Sequence, residues 1–457
     1  LLLVVPTTYF LRSKSSNAHN WLLFASFFFY GYWSPFYLIL ILYTAWSVFL
    51  ISSQIHQAED KKTKYRWVIL SIINCLLVLF IFKYLSFCLE NVNHILSYFG
   101  VSAYTLPVPT ILLPVGISFY TFQAMSYSLD IYRGFLKPCI KFRDFLLYVS
   151  FFPQLVAGPI VRAKDFLPQL KEIPVVSKGM FNAGVFFILM GLIKKVFIAD
   201  LLGFYFINSS FERPDLASVS ELWLAFYGFP FQLYNDFSGY SDVAIGSALL
   251  LGYKITDNFD SPFLTKNPAE FWNRWHISLS VWIRDYIFYP LLLSKKFLQK
   301  QKTCMMITMI IMGVWHGATF GFLLLGLYHG ILMSVHNFLY ANNKKQVGKM
   351  YAFIQWVVFF HLICFGFFLF RVNEVSEIDD FILRMIRLDL LSFSMTNMHL
   401  ELWLPAIGLH FIRAEKWHNL SQKFSEISIF LRLAFVILAC VLFVHSFMIV
   451  RSHAAFI

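Results

Sequence analysis

WVILSIINCLLVLFIFKYLSFCL, residues 67–89, holds one charged side chain, Lys83, in twenty-three positions. An α-helix rises about 1.5 Å per residue, so roughly 20 apolar residues cross the hydrocarbon of a bilayer. The stretch reads as a membrane span, and its neighbours read the same way. Apolar runs lie at 1–11, at 21–52 (two helices split at 31–35), at 111–131, at 180–206 and at 222–251, with a break expected near Pro230. Others follow at 303–319, 320–340, 351–370, 402–412 and 429–450. The sum is roughly ten to twelve spans. None shows the short alternation of barrel strands, so the expected fold is an all-α, polytopic transmembrane protein, with 1–457 as a single membrane domain.

Composition leads to the same class. The 457 residues are 58% apolar and 14% charged, against roughly 25% charged in a soluble domain. So little charge cannot coat a water-soluble particle of this size. The 54 Phe, 23 Tyr and 12 Trp suit the two membrane interfaces. A net charge of +12 invites a nucleic-acid reading, but Lys and Arg gather in short loops at 61–66, 137–143, 162–171, 295–302 and 344–349. That is the positive-inside pattern, and no nucleic-acid partner is expected. Six cysteines lie scattered, mostly within apolar runs and without a CxxC pair. They read as buried small hydrophobes, not as a disulfide framework or metal site. The chain opens on Leu1 inside an apolar run, from which a short preceding piece is expected.

The basic loops order the spans. With 61–66 cytoplasmic, 67–89 leads out and 111–131 returns, placing 137–143 inside. Arg162 comes only 19 residues after Arg143, and YVSFFPQLVAGPIVR (148–162) carries the helix breakers Pro153, Gly158 and Pro159. A re-entrant element that dips in and comes back satisfies both loops. The acidic loop 208–221 then falls outside, 252–280 falls inside, and 371–401 is expected outside.

Polar residues at membrane depth are functional candidates by default. The densest cluster is FQLYNDFSGYSDVAIG (231–246), with Asn235, Asp236, Ser238, Tyr240, Ser241 and Asp242 in an apolar run. Packing is one reading, with Gly239 and Gly246 allowing close helix approach. A pocket or tunnel lining is the other. In NPAEFWNRWHISLSVWIRDYIFYP (267–290), Trp272, Trp275, Leu279 and Trp282 recur at spacings of three and four, which predicts an interfacial helix with one aromatic face. Its Arg274 or His276 could meet an anionic donor. In GVWHGATFGFLLLGLYHG (313–330), His316 follows a short helix starting near Lys302 and sits in a glycine-flanked turn, deep in the bilayer. His329 and His336, seven apart, are too distant for a shared metal and read as structural or as residues supporting the site from behind.

These stretches run in one order with LPVGISFYTFQAMSYSLDIYRG (113–134), SFFPQLVAGPIVR (150–162) and FFLFRVNEVSE (367–377). Together they resemble the membrane-bound O-acyltransferase superfamily, in particular its bacterial alginate O-acetylation branch, with the core motifs spanning 113–377. Residues beyond 377 carry no recognised motif.

The resemblance implies re-entrant and interfacial helices among the spans, set around a central tunnel in a bacterial inner membrane. It places two functional histidines on His316 and His276. Trp315, Asn235, Asp236, Ser238, Tyr240, Asp242, Arg274 and Trp275 become tunnel- or donor-lining residues. Acetyl-CoA is the implied acyl donor, with no bound cofactor. The implied acceptor is a hydroxyl of a cell-envelope polysaccharide such as alginate or peptidoglycan, reached through an extracytoplasmic acetyltransferase partner protein. Attack of a hydroxyl on a thioester needs a base near neutral pH, a role suited to histidine. No GxSxG elbow is present to support a serine acyl-enzyme. D-alanyl transfer to teichoic acid is the rival within the family. Outside it, a transporter would use Asp236 and Asp242 for coupling, and a non-catalytic scaffold would merely carry a partner.

Overall fold

The computed structural model describes residues 1–12, 15–101, 105–171, 175–340, 348–372, 374–387 and 400–454. Most of the basic loop 344–349, the middle of 371–401 and Asn373 of the last motif lie outside the described residues. The described chain is all-α, and five of its helices are long and apolar enough to cross a membrane: Pro35–Gln57, Lys61–Tyr98, Phe320–Leu339, Lys349–Arg371 and Ile429–Ile449. It divides into two compact units, 1–176 with 247–256, and 177–246 with 257–457.

The first unit contains α1 (Val4–Leu11), α2 (Ser15–Trp33), α3 (Leu38–Gln57), α4 (Lys61–Leu79), α5 (Leu85–Tyr98), α6 (Ile117–Tyr132), α7 (Phe142–Ser150), α8 (Phe152–Leu155) and α9 (Ala163–Phe166). The stretch 67–89 runs through α4, a π-helical turn at Phe80–Tyr84 that carries Lys83, and into α5. Asp60 starts α4 by accepting the Thr63 N–H at 2.8 Å. The split expected at 31–35 is present, with Pro35 opening a short 3-10 turn between α2 and α3.

The run 111–131 is helical only from Ile117, which corrects the expected span. Pro107, Pro109 and Pro114 deny helix to the residues before them. Gly116 then turns with φ 75°, where a Cβ would lie 2.2 Å from the Leu155 carbonyl oxygen. In 148–162, α7 stops at Ser150, α8 lasts four residues, and the backbone is irregular to Arg162. That irregular backbone is buried, so its polar groups need partners. The Tyr148 hydroxyl donates to the Val161 carbonyl at 2.9 Å, and the Gln154 amide donates to the Tyr148 carbonyl at 2.9 Å.

The second unit begins with α10 (Lys178–Leu192), which continues as a π-helix over Ile193–Asp200, then α11 (Asn208–Glu212) and α12 (Val219–Leu250, of which 219–246 belong here). There follow α13 (Pro268–Trp272), α14 (Ile277–Ile283), α15 (Tyr289–Leu292), α16 (Gln301–His316), α17 (Phe320–Tyr340), α18 (Lys349–Arg371), α19 (Val375–Met385), α20 (Leu400–His410), α21 (Ala414–Glu426) and α22 (Ile429–Ala454). No break occurs at Pro230: α12 passes through it unbroken for 32 residues. Helices packed around a proline can meet the backbone groups it frees. Glycines set how closely α10 and α12 approach. A Cβ on Gly239 would sit 2.7 Å from the Gly191 oxygen, and one on Gly246 would sit 2.5 Å from the Gly184 oxygen.

Three of the six cysteines, Cys75, Cys304 and Cys364, are buried as expected. Cys88 and Cys139 are half-buried and Cys440 is exposed, which corrects the uniform reading. Cys440 lies on α22, whose residues are mostly exposed and apolar, and a thiol is apolar enough for such a face.

Candidate active site

The first histidine is placed by the end of a helix. Thr308 and Met312 bury one face of α16, and the helix stops at His316 because Gly317 leaves it in an extended conformation, φ −176° and ψ 172°. The glycine is needed for space. A Cβ there would fall 2.3 Å from the Phe322 ring. Phe322 is stacked on His316 with centroids 5.9 Å apart, and Phe370 meets the same imidazole edge-on at 5.1 Å. Trp315 is buried, with its ring 4.8 Å from His316 and 6.4 Å from His276. His316 itself is half-buried.

The second histidine interrupts a helix. The expected interfacial helix over 267–290 is instead broken between α13 and α14, where His276 takes the left-handed conformation with φ 43°. Two backbone bonds to an earlier segment hold the break: the Asp260 N–H donates to the Arg274 carbonyl at 3.0 Å, and the Ile277 N–H donates to the Asn258 carbonyl at 2.9 Å. A left-handed non-glycine residue persists only where its surroundings over-determine it. Trp275, Leu279 and Trp282 are buried, so this face packs inward. Phe271 stacks on Trp275 at 5.9 Å, and Phe367 meets it at 4.8 Å.

His276 is 2% exposed. Its Nδ1 lies 3.0 Å from the side-chain oxygen of Asn258, and Phe237 stands edge-on to its ring at 4.6 Å. Burial pushes its pKa well down, and the positive form of His316 lowers it further. Trp315 lies between the two imidazoles, which are 40 residues apart in the chain.

The 231–246 cluster divides. Asp242 accepts from Lys194 Nζ at 2.7 Å, with the lysine 2% exposed and its ammonium 4.4 Å from the Trp417 ring centroid. Asp236 pairs with Lys195 at 2.5 Å, and the same ammonium donates to Asp200 at 2.7 Å. Asn235 donates to the Phe231 and Ala406 carbonyls at 2.8 and 3.2 Å. Tyr240 is exposed, with Lys195 5.6 Å from its ring centroid. Ser238, Ser241, Asp242 and Lys194 line a cavity of about 20 Å³ together with Asp257, Asn258 and His418. Arg274 is held by Glu270 at 2.6 Å, one helical turn away.

The structure therefore brings His276, Trp315 and His316 together, with Trp275 and Phe237 packed around them. Asn235, Asp236, Tyr240 and Arg274 are engaged in contacts of their own elsewhere in the unit. Sequence reasoning passed over Asn258, Lys194 and Lys195. The lysines carried a signal, since two adjacent cations inside the apolar run 180–206 call for acidic partners, and Asp200 in that run with Asp236 and Asp242 in 222–251 were the acids at membrane depth. Asn258 carried none.

Residues 137–375 match the MBOAT, membrane-bound O-acyltransferase, family. The probable alginate O-acetylase AlgI of Pseudomonas aeruginosa is 36% identical over 358 residues, 78% of this chain and 67% of that protein. A peptidoglycan O-acetyltransferase of Helicobacter pylori is 33% identical over 384 residues, covering 78% and 71%. A teichoic acid D-alanyltransferase of Bacillus subtilis is 30% identical over 345 residues, covering 72% and 84%. Both histidines fall within the matched segment, which takes in more than half of the chain. By that match and these relatives, the chain belongs to the membrane-bound O-acyltransferase family and is an O-acyltransferase of the membrane.

Proposed function

We propose that the protein moves an acetyl group from acetyl-CoA, entering from the cytoplasmic face of a bacterial inner membrane, to a hydroxyl of a cell-envelope polysaccharide. An extracytoplasmic partner protein completes delivery to the polymer. The observation that carries the site is the convergence of His316, Trp315 and His276 from chain segments 40 residues apart. In this reading His316 takes the proton of the attacking hydroxyl as the new C–O bond forms. The thioester C–S bond breaks, and the proton passes to the leaving thiolate. The family membership and the names of the acetylating relatives support acetyl as the group moved.

Membrane vesicles supplied with labelled acetyl-CoA test this. Label should reach a saccharide with the wild-type chain, and His316→Gln should abolish transfer in protein that still inserts. Full transfer by that variant would overturn the assignment. The D-alanyl relative motivates a second arm with D-alanyl carrier protein as donor. Label moving from that donor alone would replace acetyl by D-alanyl.

A further inference from the structure

We infer that Asn258 is a positioning residue that holds His276 in the Nδ1–H tautomer, so that its Nε2 can act only as a hydrogen-bond acceptor or base. The inference deepens the reading of His276 as a site residue and rests on it.

The side-chain oxygen of Asn258 lies 3.3 Å from the backbone nitrogen of Ser278, 2.9 Å from the Ser278 hydroxyl and 3.0 Å from His276 Nδ1. A backbone N–H can only donate, so the Asn258 atom it meets must be the carbonyl oxygen and not the amide nitrogen. The amide nitrogen is used on the other side, donating to the Ser241 hydroxyl at 3.2 Å. An oxygen that already accepts from Ser278 offers Nδ1 only an acceptor. Nδ1 must therefore carry the hydrogen. In a neutral imidazole that leaves the lone pair on Nε2, which is buried in the unit.

The surrounding backbone supports the assignment. The Asn258 carbonyl accepts the Ile277 N–H, so one residue grips the chain on the C-terminal side of His276 through both its main chain and its side chain. That grip is what an unfavourable φ of 43° requires. It also ties the two sequence motifs together, because Ser241 belongs to 231–246 and His276 to 267–290. The titratable groups around the ring are His316 on α16 and, past Asn258, Asp257 with its partner His418 and Asp242 with its partner Lys194. Arg274 and Asp260 stand near in the chain, paired to Glu270 and Arg413.

An acceptor at Nε2 cannot stabilise the oxyanion, which would need a donor, so His276 serves beside the proposed base His316 as an acceptor. The tautomer can be read without any substrate. The full chain in lipid bilayers, labelled with ¹⁵N-histidine and with the His276 signal assigned by its loss in His276→Gln, should show a protonated Nδ1 and a bare Nε2. Asn258→Asp should keep that state, and Asn258→Leu should lose it. A wild-type signal from Nε2–H would overturn the inference. Activity gives the second readout. Asn258→Leu should lower kcat about 100-fold, the low end for groups that take part in proton transfer, with KM for acetyl-CoA unmoved. Asn258→Asp should retain activity but move the acidic limb of the pH profile upward, because a carboxylate favours the charged imidazole. Wild-type kcat in Asn258→Leu alongside an inactive His276→Gln would overturn the positioning role. Full activity in His276→Gln would instead remove His276 from the proposed reaction, leaving the tautomer to the spectrum.

Discussion

Lys194 Nζ lies 2.7 Å from Asp242 Oδ2, although the two residues are 48 positions apart on different helices. With the lysine 2% exposed, this is a buried ion pair, and it explains how α12 keeps a carboxylate in an apolar run. Removing one partner strands the other charge, which costs about 3–5 kcal/mol. Asp242→Asn should therefore destabilise the protein by about that amount. The double variant Lys194→Met, Asp242→Leu should recover most of the loss. Thermal unfolding of the detergent-solubilised protein decides, and a double variant no more stable than the single one would refute the pairing argument.

Gly239 is one of the positions where α12 meets α10 closely. A Cβ there would sit 2.7 Å from the Gly191 oxygen and 2.9 Å from the Lys195 nitrogen, both main-chain atoms that cannot swing aside. Gly239→Ala should push the helices apart and loosen both lysine–aspartate pairs, at about 1–3 kcal/mol for overpacking. An unchanged Tm in that variant would show that the close approach is dispensable.

Gly317 offers a separable effect. Its backbone is extended and open to any residue, so the glycine matters only for room. Gly317→Ala would displace Phe322, the ring that stacks on His316. The expected result is a fall in acyl transfer of about 10-fold or more with expression and Tm little changed, since a small misplacement at a reacting group is expensive. Full activity would mean that Phe322 does not hold His316.

His418 gives a pH dependence with a definite sign. Its hydrogen bond to Asp257, 2.9 Å long, raises the imidazole pKa above its usual value, against a smaller lowering by burial. A raised pKa means stability that is fully present below about pH 6.5 and is lost as pH climbs through the folded-state value. Attachment of α21 should therefore weaken as pH rises above neutrality. Tm measured from pH 6 to 9 should fall more steeply in the wild type than in His418→Gln. Parallel curves would count against the pair.

Much of the fold was legible one residue at a time. The run 67–89 is helical throughout, the 31–35 split falls at Ser34 just before Pro35, and α16 ends on His316 as its glycine-rich turn foretold. The misreadings also have local causes that sequence pattern does not weigh. Pro230 is accommodated inside α12, and the tryptophan spacing in 267–290 hid a break, because periodicity cannot detect a left-handed residue held by a distant loop.

Length and apolarity of a run are properties of adjacent residues, so the sequence by itself determined that this is a helical membrane protein, and its motif order pointed to the family. Which polar groups meet is decided between segments tens of residues apart, by how closely glycines let α10 and α12 approach and by where the chain turns at His276. Only the tertiary structure could therefore pair Lys194 with Asp242, bring His276 to His316, and set Asn258 against Nδ1. The carboxylates that looked most like a site at membrane depth became ion pairs, and an asparagine with no signature became the partner of a site histidine.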